Sequence, residues 1–558
     1  MSPSGPYAGL KQFGLVVLCA MWVLLGLVGH DPWKTEDATG FGVVWDMRNS
    51  HTILTPTLLG ETYAERPPLV YVLGVASERL FEPWLEPHDA ARLCVALMLG
   101  LTLFLLARSG KELGGRAMQW LPPLLFVGSI GLWDRSHQLA PEIGLLLGLA
   151  IAQYGFALSA RRPRSGGTIV GIGAGVAFLA YGFLGVVWIT LAAILLPVLF
   201  REWRGRAYGW CALTALAVAV VAIGAWPLLL ALSAPSHLAA WWSNQTFATY
   251  FAPLSPTGWL DAPFVLKNLP WFTWPAAPLA LWTLWTRGRG FNGGLRTPAL
   301  QVPATLALAV LLALLLMPDA RAIHLMMLIL PLSLLGALEV DTLKRGLSSA
   351  LDWFGILTFG LLAAISWGIW WDAYLRGMPP AVARAFRDAN PGYQPSFHIR
   401  EVAVCVFLTV LWLVLVRPAR RSNRRAILNW AAGTTLLWAM YTTIWLPYLD
   451  SRRSYRVVAE NAALHLPNAS KGCIASRGLG EPQRALFYYF AGIVTVREEI
   501  HPAHGCRALI VQYGAQVDES AVTGGWVRLW QGQRRGDETE HFVIYTRADV
   551  PAPLAARR

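Results

Sequence analysis

Two adjacent acids, Glu36 and Asp37, stand just beyond the first long apolar run, inside His30-Asp31-Pro32-Trp33-Lys34-Thr35-Glu36-Asp37. A third, Glu142, follows Pro141 at the mouth of a later apolar run. Between them lies Tyr63-Ala64-Glu65-Arg66-Pro67-Pro68-Leu69-Val70-Tyr71, and Arg321 and His324 follow between two further runs. A carboxylate in such a place can take a proton as general base or hold a polar group of a substrate. The bland alternative for Glu142 is a helix N-terminus, where an acid satisfies free N–H groups and the helix dipole. Glu65 with a histidine from another loop would suit a divalent metal, yet His51, His137 and His237 lack local ligand spacing.

The elements that must position these groups are membrane helices. The 558 residues are 55% hydrophobic and only 14% charged, against about a quarter charged in ordinary globular chains. Apolar runs near the ~20 residues needed to cross a bilayer recur from Leu10 to Tyr448. We read thirteen spans, at 10–29, 90–107, 117–132, 140–160, 167–182, 184–200, 208–232, 267–286, 300–317, 322–341, 351–371, 401–416 and 427–448. The run Phe13 to Val28 lacks a small-residue cleavage site and reads as the first helix, not a cleaved signal. The net charge of +13 comes largely from arginines in short loops, where it orients helices, and no nucleic-acid-binding module is visible.

Six loops carry that charge: Arg108 to Arg116, Arg161 to Arg164, Arg201 to Arg206, Arg287 to Arg296, Lys344 to Arg345 and Arg417 to Arg425. The positive-inside rule puts all six in the cytoplasm, with the N-terminus. The run Leu69 to Phe81 then cannot cross; it is short and carries Glu78 and Arg79, which suits an interfacial or re-entrant helix. Loops 30–89, 133–139, 233–266 and 372–400 share the outer side with the tail 449–558, and so do nearly all the acids and histidines. One-sided chemistry fits an enzyme working at the outer face. A lipid or polysaccharide transporter would keep its polar groups near midspan.

The order of these motifs resembles that of the polyprenyl-phosphate-dependent membrane glycosyltransferases of the GT-C class, most closely the family of the aminoarabinose lipid A transferases, with the protein O-mannosyltransferases more distant. The family's acidic pair matches Glu36-Asp37, its Thr-Pro stretch Thr55-Pro56 with Gly60, and its Tyr-Phe-Glu-Lys-Pro-Pro motif Tyr63 to Tyr71. Its later acid matches Glu142, its Ala-Phe-Leu-Thr-Lys-Gly matches Ala177 to Gly182, and its basic residue and histidine match Arg321 and His324, with Pro331 beyond. Departures are the order Glu-Asp, Thr39 in place of a basic residue, Glu142 for Asp, Tyr181 for Lys and Leu325 for Tyr.

The resemblance implies an inner-membrane, all-α polytopic bundle, residues 1–448, followed by a small periplasmic α/β domain, residues 449–558. It further implies a sugar, aminoarabinose or a related pentose or hexose, passing from a polyprenyl-phosphate donor to lipid A or another envelope glycolipid or glycan. Arg66, Arg321 and His324 are then the donor-phosphate candidates, since a guanidinium fork fits phosphate oxygens and stays charged when desolvated. The bland reading is snorkelling to lipid headgroups. Glu36, Asp37 and Glu142 are the catalytic candidates, and Glu65 a substrate or metal candidate. A hydroxyl acceptor would need one of them as base; a phosphate acceptor, already anionic, would not.

Aromatic residues of the loop 233–266, Trp241, Trp242, Tyr250 and Trp259, suit a headgroup belt or a lid over a sugar. In the tail, Ser454 to Leu466 and Glu481 to Phe490 read as helices, and Cys473 to Ser476, Arg507 to Gln512, Trp526 to Trp530 and His541 to Tyr545 as strands. Cys473 and Cys506 each precede a strand, so a disulfide and two separate thiols both fit.

Overall fold

The computed structural model describes residues 8–243, 262–317, 320–376, 380–394, 397–417, 422–466, 473–500, 505–517, 522 and 525–547. Most of them are helical, and one small sheet lies in the tail. Among the described residues five helices are long and apolar enough to cross a membrane: Pro87–Gly114, Pro141–Ser159, Arg206–Ser233, Pro298–Leu315 and Arg345–Tyr374.

Several other runs read as single spans are broken, and proline stands at or near two of the breaks, in 267–286 and 427–448. The run 117–132 yields the helix Leu121–Val127, opened by Pro122-Pro123, and then a single turn, Ile130–Leu132. The run 267–286 is divided between Ala262–Phe272 and Ala276–Gly288 around Pro275, and 427–448 between Asn423–Tyr441 and Leu446–Arg453, the latter opened by Pro447. Proline lacks the N–H that a continuing helix needs. Leu69–Phe81 is a helix of 13 residues, about 20 Å at 1.5 Å per residue, too short for the ~30 Å hydrocarbon core.

The arginine-rich loops meet one another at one end of the bundle. Arg161 pairs with Glu112 at 3.4 Å, Arg424 donates to the Ala117 carbonyl at 2.8 Å and to Asp341, and Arg287 pairs with Glu339 at 2.6 Å. Gln301 closes the set by donating to the Leu295 carbonyl and to Glu202. The helix Pro141–Ser159 runs from Glu142 towards this end, so Glu142 lies about 25 Å from it.

At the opposite end the helix Glu36–Ser50 is wedged between neighbours that leave no room for side chains at two points on nearly opposite faces. A Cβ on Gly40 would stand 2.0 Å from the Leu139 carbonyl oxygen, and one on Gly42 2.4 Å from the Ala485 Cβ. A short hairpin follows, β1 (Thr57–Leu58) paired antiparallel with β2 (Glu61–Thr62).

Among its described residues the tail carries five strands, β3 (Ile474–Arg477), β4 (Val496–Arg497), β5 (Ala508–Tyr513), β6 (Trp526–Gly532) and β7 (His541–Arg547), in the order β4-β3-β5-β7-β6. The β3 strand is parallel to β4 and β5, while β7 is antiparallel to β5 and β6. Helices Arg456–His465 and Glu481–Ala491 pack on it through Val458, Ala462, Leu486 and Phe487. Cys473 and Cys506 are joined by a disulfide with Cα atoms 4.9 Å apart, at the starts of the parallel neighbours β3 and β5.

The tail is bound to the hairpin by charge. Arg484, 1% exposed, forks onto Glu61 at 2.9 and 3.1 Å and also donates to Thr495, and Arg497 reaches the same carboxylate at 2.5 Å. Burial alone would raise the Glu61 carboxyl; the two guanidiniums outweigh it and hold Glu61 below its ordinary range.

Candidate functional site

A cleft of about 200 Å³ opens at the end of the bundle away from the arginine-rich loops. Glu36, Glu65, Arg66, Glu142 and Arg321 line it, with Tyr63 and Tyr71, and the tail adds Glu481 and Pro482. Each functional group is presented by a helix end or a short turn. Glu36 opens one helix, Glu142 is the second residue of another, Arg66 precedes the Pro67-Pro68 that starts a third, and Arg321 precedes the turn Ala322–Leu325.

Arg321 is the hub. One guanidinium nitrogen lies 2.6 Å from Glu36 and the other 3.7 Å from Glu142. Arg66 donates to the Tyr181 hydroxyl at 3.0 Å and stacks on its ring, with Cζ 4.1 Å from the centroid. His324 is fully buried behind the cleft, and its Nδ1 accepts the Arg321 backbone N–H at 3.1 Å. A neutral ring must then carry its proton on Nε2, which stands 2.7 Å from the Tyr181 hydroxyl and can donate to it. Tyr181 thus ties Arg66 to His324. Glu142 is 2% exposed, and its Oε2 is buried without a hydrogen-bond partner.

Asp37 lies elsewhere. Consecutive helical residues diverge by about 100°, and Asp37 points into the protein where Glu36 points into the cleft. Its carboxylate accepts from Arg92 Nε at 3.2 Å and from the backbone N–H groups of Leu139 at 2.9 Å and Trp33 at 3.3 Å. Arg92 in turn holds Asp89 at 2.9 Å and the carbonyls of Leu27 and His30.

Glu65 accepts from the Tyr63 hydroxyl at 3.4 Å. Among the described residues no three His, Cys, Asp or Glu side chains stand together as a metal site. Trp241 is buried against Phe178, Phe183 and Trp226, and Trp226 donates to the Leu54 carbonyl at 2.9 Å, so Trp241 packs the wall behind the Tyr63 motif. Trp242 is half exposed; Tyr250 and Trp259 fall outside the described residues.

Glu481 escaped sequence reasoning. Its only local signal is an acid at a helix start, in Gly480-Glu481-Pro482, which reads as a dipole partner. In the fold it faces the cleft, and burial, reinforced by Glu65, pushes its carboxyl up to about 7. A folded value above the unfolded one gives stability that is full below the ordinary carboxylate range and lost as pH rises through the folded value. Thermal stability should therefore decline between about pH 5 and about pH 7, and Glu481→Gln should flatten that slope. An unchanged slope in the variant would assign the titration to another group.

Comparison with known proteins places this geometry. No protein-family model matches the chain. It is 28% identical over 289 residues to the undecaprenyl phosphate-α-4-amino-4-deoxy-L-arabinose arabinosyl transferase 1 of Sodalis glossinidius, a match covering 49% of this chain and 50% of that one. A transferase of the same kind from Pseudomonas aeruginosa is 28% identical over 374 residues, covering 63% of this chain and 64% of its own length. The match thus spans half to just under two thirds of these relatives. The crystal structure of ArnT from Cupriavidus metallidurans bound to undecaprenyl phosphate superposes with a TM-score of 0.70 at 14% identity, over 97% of this chain and 98% of that one. Its apo form gives 0.68 at 15% identity, over 96% and 98%. By sequence the chain is similar over part of its length to aminoarabinose arabinosyl transferases, and its fold is that of ArnT.

Proposed function

We propose that the chain is a membrane glycosyltransferase that moves a sugar from a polyprenyl-phosphate donor to lipid A or another envelope glycolipid or glycan at the periplasmic face. The observation that carries this reading is the convergence of Arg66 and Arg321 with Glu36 and Glu142 on one cleft at the end of the bundle away from the arginine-rich loops. An acceptor oxygen bonds to the sugar C1 as the bond from C1 to the phosphate oxygen breaks, and polyprenyl phosphate leaves with the electron pair. Charge grows on that phosphate, where the two guanidiniums meet it. His324, fixed through Tyr181, is a positioning residue for Arg66.

The role of the acids follows from the acceptor. A hydroxyl nucleophile would give its proton to Glu36 or Glu142. A lipid phosphate is already anionic, and the same carboxylates would then bind polar or amino groups of the sugar. Glu65 and Glu481 frame the sugar side. In this reading residues 1–448 form thirteen spans with a cytoplasmic N-terminus in the bacterial inner membrane, and residues 449–558 form the periplasmic domain. The mutual contacts of the arginine-rich loops support a common side for them.

Mass spectrometry of lipid A and the other envelope glycolipids, in cells with and without the gene, tests the function. A single pentose or hexose increment that vanishes with the protein is the expected result. Identical glycolipid profiles, with a lipid or polysaccharide instead lost from the outer leaflet, would turn the reading over to a transporter.

A further inference from the structure

Glu540 immediately precedes β7 in the tail and is only 4% exposed. A carboxylate so deeply placed is costly unless donors surround it, and here four side chains donate to it. Lys34 Nζ at 2.7 Å, Gln483 Nε2 at 2.7 Å and Gln512 Nε2 at 3.0 Å all reach Oε1, and the Tyr455 hydroxyl donates to Oε2. Burial alone would raise the carboxyl; Lys34, Tyr455 and Gln483 outweigh it and hold Glu540 below its ordinary range.

The donors to Oε1 come from both chain segments that build the cleft. The bundle contributes Thr35 and Glu36 to its lining, the tail Glu481 and Pro482. Lys34 stands two residues ahead of Glu36, at a helix start that no side chain caps. Gln483 stands two residues beyond Glu481, in the first turn of its helix, and Gln512 accepts the Gly480 backbone N–H at 3.2 Å through its Oε1. One oxygen atom therefore ties the approach to Glu36 to the approach to Glu481. Other contacts dock the tail: Asp450 and Arg453 hold Trp33, and Arg484 holds Glu61. Loss of the Glu540 carboxylate should thus loosen the two helix starts without undocking the tail.

We propose that Glu540 is a positioning residue for the cleft, its carboxylate fixing Glu36 relative to Glu481 and so setting the seat of the sugar. The role of the seat rests on the glycosyltransferase reading above; the fixing of the two helix starts can be measured without activity.

The test compares full-length wild-type, Glu540→Ala, Glu540→Gln, Lys34→Met and Val543→Ala proteins in amide hydrogen exchange and in turnover per folded molecule. The Ala38 and Thr39 amides bond to the Trp33 and Thr35 carbonyls, and the Arg484 amide to the Gly480 carbonyl. In Glu540→Ala all three should exchange roughly tenfold faster. Lys34→Met, which removes a partly exposed side chain, should free only Ala38 and Thr39. Turnover should fall about 10²-fold in Glu540→Ala, the scale of a misplacement of about 1 Å. Glu540→Gln keeps an acceptor for the three donors and should recover most of the loss. Val543 is buried on the opposite face of the sheet from Phe542 and Ile544, so Val543→Ala should lower the melting temperature and leave turnover unchanged. Unchanged exchange at Ala38 and Thr39 in either Glu540→Ala or Lys34→Met, normal turnover in folded Glu540→Ala, or an equal loss in Val543→Ala would each overturn the proposal. A wild type that transfers no sugar, with the exchange pattern as expected, would overturn the glycosyltransferase reading and leave Glu540 as the tie between the helix starts.

Discussion

Arg66→Ala is expected to slow sugar transfer by about 10²–10³-fold, the usual loss when one preorganised donor to developing charge is removed. Two constraints preorganise Arg66: its donation to the Tyr181 hydroxyl and the stacking of its guanidinium on the Tyr181 ring. Together they hold the guanidinium in one orientation at the cleft wall. The fold should tolerate the change, because Arg66 is half-buried at the cleft wall and Tyr181 keeps its bond to His324. Arg66→Lys should recover only part of the rate, since an ammonium keeps the charge and lacks the planar fork. Turnover at saturating donor, measured beside the melting temperature, separates catalysis from folding. Near-normal turnover in folded Arg66→Ala protein would remove Arg66 from the phosphate site.

The second large effect distinguishes two neighbours in sequence. Asp37→Ala should destabilise the protein by about 3 kcal/mol, because the buried Arg92 loses one of its two carboxylates, keeping Asp89, and the Leu139 and Trp33 N–H groups lose their acceptor. Glu36→Gln should scarcely move the melting temperature, since Glu36 is partly exposed in the cleft and its partner Arg321 keeps Glu142 nearby. Its activity should report the chemistry: an amide can hydrogen-bond a sugar but cannot take a proton. Glu142→Gln completes the comparison. Activity retained in Glu36→Gln and lost in Glu142→Gln assigns any base to Glu142, and the reverse assigns it to Glu36. A thermally normal Asp37→Ala protein with no activity would place Asp37 in the reaction instead of the scaffold.

Glu36, Glu65, Arg66, Glu142 and Arg321 were visible in the sequence because each interrupts or borders an apolar run, where a charge is costly unless it has a role. The division of labour between Glu36 and Asp37 was not visible. Their helix is buried on several sides, with Gly40 and Gly42 making room for Leu139 and Ala485, so it has no clear polar face to show which acid points outward. The helices and most strands of the tail followed from periodicity, but β4, only two residues long, is too short to carry a period. Continuous helices were expected where hydropathy alone was continuous. It is blind to the missing N–H of Pro275 and to where a helix stops after Pro122-Pro123. The contribution of Glu481 depends on a docking across hundreds of residues, which no local pattern encodes.

The clamp between Glu61 and Arg484 joins residues 423 positions apart. During synthesis the hairpin that leads into Glu65 and Arg66 is made early, and its carboxylate waits without its arginine while every intervening helix is inserted. Only after the segment through Arg497 has been translated can the cleft acquire its last wall. A nascent chain arrested before that point would hold its helices yet lack Glu481 and Pro482 at the cleft, so the earliest and latest parts of the chain must both be present before that wall closes.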